Sequence, residues 1–142
     1  PKANLFLGDS GSYLIGAFIA VSVIKTSIAN PSISPFYFCI LLFYLFFEVF
    51  FSFFRKLIKE KTPPIYPDKK HLHMLLYNIL LKKNNSKSKS NYTVSIIINL
   101  VYLALMIPAI YMMEDGVFSK YYSILFFIVY IYSYKKLYEK IR

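Results

Sequence analysis

Four long apolar runs, drawn at about residues 11–29, 36–54, 92–113 and 118–135, set the terms on which this chain can fold. Each approaches the ~20 residues that a helix needs to cross the hydrocarbon core of a bilayer. Of the 142 residues, 57% are hydrophobic and 20% aromatic, and so small a globule has too little interior to hide that much apolar surface. The expected fold is all-α: a polytopic integral membrane protein of about four transmembrane helices, with a short interfacial amphipathic helix in its one long loop, 55–91. In hydrocarbon a helix satisfies its own backbone, which is why helices are the expected spans.

Each run carries one feature that bears on its role. Lys25 lies near the far end of the first and can snorkel outward. Glu48 is the single acid of the second, seven residues before Arg55; a carboxylate inside such a run is costly unless it meets a partner, a cavity or the interface. Its expected role is structural or orienting. Pro108 predicts a kink near the end of the third run. The fourth has an apolar heart at Tyr121–Tyr134, short by ~3–6 residues for a straight span unless its flanks extend it.

The formal charge of +10 invites a nucleic-acid reading, which the placement of the charges opposes. Ten of the seventeen basic residues fall between Arg55 and Lys89, and four more at or after Lys135. Both clusters directly follow apolar runs, the pattern of orientation signals and anionic-lipid contacts. Asn30–Pro35 and Glu114-Asp115-Gly116 read as the turns on the opposite face, where Lys120 stands alone. Four spans then put the N-terminal stretch, the long loop and the tail on one side, which the positive-inside rule makes cytoplasmic. The one cysteine, Cys39, lies in an apolar run and reads as a small buried residue. The chain begins on Pro1 with no basic leader, and the expectation is that it is a fragment lacking upstream residues.

The loop opens on Thr62-Pro63-Pro64-Ile65-Tyr66-Pro67, which cannot be regular helix. Asp68 then stands where an N-cap is expected, ahead of Leu72, Leu75, Leu76, Ile79 and Leu80 at helical spacing. On a continuous helix His71 and His73 lie ~200° apart and flank that apolar stripe. They can serve one metal only if the helix starts after them. Asn84–Asn91, rich in Ser, Lys and Asn, reads as a mobile linker.

At the other end of the chain, Asn4-Leu5-Phe6-Leu7-Gly8-Asp9-Ser10-Gly11-Ser12 holds an acid between glycines and serines where the first apolar run begins. Asp9 or Ser10 suits a helix cap, with the glycines easing the turn. Topology also puts Asp9 on the same face as His71 and His73. A carboxylate, two imidazoles and lysines at a membrane surface suit a phosphorylated substrate with Mg2+ or Mn2+, for which carboxylate oxygen is a hard ligand. Zinc fits less well, since the spacing is wrong and no cysteine helps.

The stretch Asn4–Ser12 followed by an apolar helix resembles the signature of the polyprenyl-phosphate N-acetylhexosamine-1-phosphate transferases, glycosyltransferase family 4. Pro67-Asp68-Lys69-Lys70-His71-Leu72-His73-Met74 is similar to that family's loop pattern of Pro-Asp-Arg, one residue, then His-x-His-His. Met74 replaces the third histidine, and Glu48 stands where an Asp is usual. The resemblance implies that the chain is a C-terminal portion whose other acidic motifs lie in N-terminal helices outside it. It implies Asp9 as a magnesium ligand, His71 and His73 as catalytic residues at the sugar-nucleotide diphosphate, and Asn4, Ser10, Asp68, Lys69 and Lys70 as substrate-binding. The implied partners are a polyprenyl phosphate lipid and a UDP-N-acetylhexosamine, and the implied location is a bacterial inner membrane; a homodimer is left open. The alternative is a non-catalytic remnant or membrane scaffold of the same fold.

Overall fold

The computed structural model describes residues 8–63, 66, 68–84 and 86–141. Six α-helices follow one another: α1 (Gly8–Ala29), α2 (Pro35–Leu41), α3 (Phe43–Phe54), α4 (Leu72–Asn84), α5 (Lys87–Tyr111) and α6 (Gly116–Ile141), with α3 running on into a π-helical turn at Arg55–Glu60. No strand occurs among the described residues. Helices α1, α5 and α6 are each long and apolar enough to cross a bilayer. The chain is a helical membrane protein.

The second apolar run is not one straight helix. It breaks at Leu42, where α2 and α3 meet at 73°. Neither Pro nor Gly stands there, and the cause is tertiary. The Tyr102 hydroxyl, reaching over from α5, donates to the carbonyls of Ile40 and Leu41, both at 2.7 Å. A side chain that satisfies carbonyls at a break takes the place of the helix's own ladder. Tyr102→Phe is therefore expected to cost about 1 kcal/mol, the net worth of one hydrogen bond. Thermal unfolding in detergent reads this, and an unchanged midpoint would mean that packing alone holds the break.

The two short turns meet, which fixes the topology. Ser34 N–H donates to Met113 O at 2.9 Å and Ser32 Oγ to Glu114 Oε1 at 3.1 Å. Each turn starts the next helix: Ser34 accepts from Phe36 N–H at the head of α2, and Asp115 Oδ1 from Phe118 N–H at the head of α6. The start of α1, the described residues of the 55–91 segment and the end of α6 lie at the opposite end, where Lys59 Nζ sits 5.6 Å from the Tyr138 ring centre.

In hydrocarbon, helices gain little from burying apolar surface against one another, so close packing and aromatic contacts hold them. Residues four apart share a helix face. Phe43, Phe47 and Phe51 of α3 thus form a ladder that interdigitates with Phe127, Tyr130 and Tyr134 of α6. Phe47 meets Phe127 edge-on at 4.6 Å and Tyr130 at 4.8 Å, and Phe51 meets Tyr134 at 4.7 Å. Helix α1 has no buried residue, and its Gly16, Ile19 and Val23 share an apolar groove with Leu45, Phe46 and Val49 of α3.

Three boundaries differ from the sequence reading. Helix α5 begins at Lys87, so most of the expected linker is helical, with Ser90 fully buried. Helix α6 reaches Ile141, well past the drawn end at 135, which removes the shortfall in its length; Lys135, Lys136 and Lys140 ride on its continuation. Helix α4 exists where expected, but it is not a helix with one wet face. It packs on α5 and α6, Leu75 is buried, and no residue from His71 to Leu81 is fully exposed. Leu72 and Leu76 share a cleft with Ile97 and Val101 of α5 and Val129 and Leu137 of α6.

Candidate functional site

Two buried carboxylates organise the polar end of the bundle. Glu48 lies on α3 with Ser52 and Arg55 four and seven residues further on, so all three share one face. The π turn that follows brings residues five apart into line, and Arg55 Nη1 accordingly meets Glu60 Oε1 at 2.5 Å. The turn closes on Lys61 in the left-handed conformation (φ 51°), with Thr62 N–H donating to Lys56 O.

Asp68 is the first carboxylate. Ser52 Oγ and Arg55 Nη2 both donate to its Oδ2, and the Lys70 amide donates to Oδ1 at 2.8 Å. Burial opposes its ionisation, but the Ser52 hydroxyl, the Lys70 amide and the Arg55 guanidinium outweigh burial and hold the carboxyl down to about 2. Asp68 was expected to cap α4. Its oxygens are instead engaged in tying the loop to α3.

Glu48 takes the capping role. Its Oε1 accepts from Leu72 N–H, the first amide of α4, at 2.7 Å, and its Oε2 accepts from the Tyr130 hydroxyl of α6 at 2.7 Å. A carboxylate at a helix start satisfies a free amide and opposes the helix dipole favourably. The same Oε1 lies 3.1 Å from His71 Nδ1. With Glu48 accepting throughout, Nδ1–H is the donor, and His71 Nε2 faces Asp68 Oδ2 at 3.8 Å.

The helix begins between the two histidines, so they do not take opposite sides of it. Their rings stack, 9° from parallel with centres 5.5 Å apart, and His73 Nδ1 lies 3.9 Å from Glu48 Oε1. Burial lowers the His73 pKa, Glu48 opposes this, and His71 adds to the lowering.

The other sequence candidates fall less closely together. Lys70 Nζ pairs with Glu60 at 2.7 Å, while Lys69 is exposed. Asp9 and Ser10 are exposed in the first turn of α1, which starts from Gly8 at φ 67°. Neither acts as the expected cap; the side-chain bond there runs from Ser12 Oγ to Gly8 O at 2.9 Å. Asn4 lies outside the described residues. Connectivity puts Asp9 at the same end of the bundle as the histidines, but no contact joins them among the described residues.

Among those residues no group of three or more His, Cys, Asp and Glu side chains is arranged to hold a metal ion. The oxygens of Glu48 and Asp68 are taken up by hydrogen bonds. Asp9 makes no side-chain hydrogen bond or ion pair among the described residues. Sequence reasoning gave no role to Ser52, to Arg55 beyond its seven-residue distance from Glu48, or to Tyr130; the structural role expected of Glu48 is the one it has. The 48–52–55 spacing on an apolar helix was the available signal for the first two.

No family model matches the chain, and no solved structure matches it. The chain is 37% identical over 73 residues to the undecaprenyl-phosphate alpha-N-acetylglucosaminyl 1-phosphate transferase of Thermotoga maritima. The matched segment is 51% of this chain and 23% of that protein, so the chain spans about a quarter of the length of the relative it matches.

Proposed function

We propose that this chain is part of a membrane transferase that moves N-acetylhexosamine 1-phosphate from a UDP-sugar to a polyprenyl phosphate. The observation that carries the reading is the stacked His71–His73 pair, locked at the polar end of the bundle by Glu48, in a chain that shares 37% identity over half its length with such an enzyme. A polyprenyl-phosphate oxygen bonds to the β-phosphorus, the bond from that phosphorus to the bridging oxygen breaks, and UMP leaves. Negative charge on the diphosphate needs donors at fixed positions. Exposed Lys69 supplies one, beside the rings of His71, whose Nδ1 is held by Glu48, and His73; Asp68 and Lys70 shape the loop through Arg55 and Glu60.

In this reading Asp9 contributes one ligand to Mg2+ or Mn2+, completed by groups outside these 142 residues. The weight of basic residues in 55–89 and the tail supports a cytoplasmic catalytic face in a bacterial inner membrane. The test uses membranes containing the full-length protein, undecaprenyl phosphate and radiolabelled UDP-N-acetylhexosamine. Asp9→Asn is expected to abolish metal-dependent transfer, and His71→Ala, which removes the ring stacked on His73, to weaken UDP-sugar use. Full turnover by both variants would sink the assignment. An absence of transfer with every UDP-hexosamine would favour a scaffold of the same fold.

A further inference from the structure

The two histidine rings stack, but their edges meet different things. Both nitrogens of His71 face buried carboxylates: Nδ1 lies 3.1 Å from Glu48 Oε1, and Nε2 3.8 Å from Asp68 Oδ2. Those carboxylates are themselves tied down, Glu48 by the Tyr130 hydroxyl and the Leu72 amide, Asp68 by Ser52, Arg55 and the Lys70 amide. Nδ1–H is therefore spent on the fold. A phosphate oxygen brought to Nε2 would sit beside the ionised Asp68 carboxylate, and like charges repel strongly away from bulk water.

His73 stands differently. Its side chain is 45% exposed against 25% for His71, and its nearest carboxylate oxygen among the described residues, Glu48 Oε1, is 3.9 Å from Nδ1. Neither of its ring nitrogens makes a hydrogen bond there. An imidazole carries at least one N–H in either protonation state, so His73 keeps a donor that no protein group takes. It also lines a polar cavity of about 480 Å³ with Tyr77 of α4 and Lys87, Ser88 and Asn91 of α5, a lining that His71 does not share. What fixes the plane of its ring is His71, 9° from parallel on one face.

We infer that His71 is a positioning residue and His73 the ring that meets the sugar-nucleotide diphosphate, with Tyr130, Glu48 and His71 forming a chain from α6 that sets where His73 stands. The inference rests on the transferase reading. Tyr130 holds one oxygen of Glu48, and the other oxygen holds His71 Nδ1–H together with the first amide of α4. His71 then offers its flat face to His73. A donor fixed in this way needs no reorganisation when charge develops on the phosphate.

The test compares substitutions at the two positions in the full-length protein. At position 71, asparagine puts a side-chain N–H where Nδ1–H was, whereas alanine leaves Glu48 without it. In detergent and without substrate, His71→Ala is expected to lower the melting temperature and His71→Asn to restore most of the difference. His73→Ala is expected to leave it nearly unchanged, since that ring holds no hydrogen bond. In UDP-sugar transfer, His73→Asn is expected to cut kcat by ~10²-fold or more, the scale of losing one donor to developing charge. His71→Asn is expected to stay within about 10-fold of the wild type, short of the ~10²-fold that a 1 Å misplacement costs. Transfer by His71→Asn as poor as by His73→Asn, at a wild-type melting temperature, would make His71 a substrate group and overturn the assignment. So would a His73→Ala protein that melts as early as His71→Ala. A wild type that transfers nothing to undecaprenyl phosphate sinks the transferase reading instead, and the melting order still decides whether His71 is the strut.

Discussion

Replacing Glu48 with alanine is expected to release the start of α4 and the His71–His73 pair from the bundle, with the largest loss of stability of any single substitution in α3. The carboxylate accepts from Leu72 N–H and the Tyr130 hydroxyl and holds His71 Nδ1, and Glu48 itself is buried. Each buried donor left without an acceptor costs about 1–3 kcal/mol, so three together take several kcal/mol from a fold of marginal stability. Tyr130→Phe removes one donor and leaves the other two bonds in place, so its effect is a fraction of the alanine effect. Glu48→Gln keeps the shape and an acceptor oxygen and falls between them. Thermal unfolding in detergent orders the three, and proteolysis between Lys61 and Lys70 reports the loop directly. If Glu48→Ala unfolds no earlier than Tyr130→Phe, the carboxylate is not what holds the loop.

The apolar runs, the two tight turns and the basic loop were legible because hydropathy and turn residues are local properties of the chain. The break at Leu42 was not, since no residue near it favours a break and the Tyr102 hydroxyl that stabilises it comes from sixty residues away. The same reason hid the capping of α4. Asp68 has the right residue type at about the right position, but Arg55 and Ser52 claim it, and the cap is a carboxylate from α3. Polar composition misplaced the start of α5, where Ser90 is buried against neighbours that the sequence alone does not reveal. For the site, the histidine pair was legible as a motif. Its geometry was not, because whether the two rings oppose or stack depends on a helix start that Glu48 fixes.

Breaking the Arg55–Asp68 pair is expected to be nearly as damaging, and pH separates its two halves. The Arg55 and Asp68 side chains are 6% and 7% exposed, and removing one partner of such a buried pair costs about 3–5 kcal/mol because the other charge stays behind. Arg55→Met leaves Asp68 with Ser52, the Lys70 amide and the more distant His71 ring, and leaves Glu60 paired with Lys70. The double variant Arg55→Met with Asp68→Leu removes both charges and is expected to recover much of the loss, as buried pairs exchanged for apolar groups often do. The sign with pH follows from the depressed pKa. Asp68 falls from 3.8 to about 2 on folding, so the folded chain binds this proton less readily than the unfolded one. Its contribution is complete above the unfolded value and fades as pH drops from 3.8 toward 2. Without Arg55 the folded value rises, and acid is expected to remove less, because less was there to lose. Unfolding midpoints measured across that acid range for the wild type, Arg55→Met and the double variant check both halves. Parallel pH profiles for all three would show that the guanidinium does not hold Asp68 ionised.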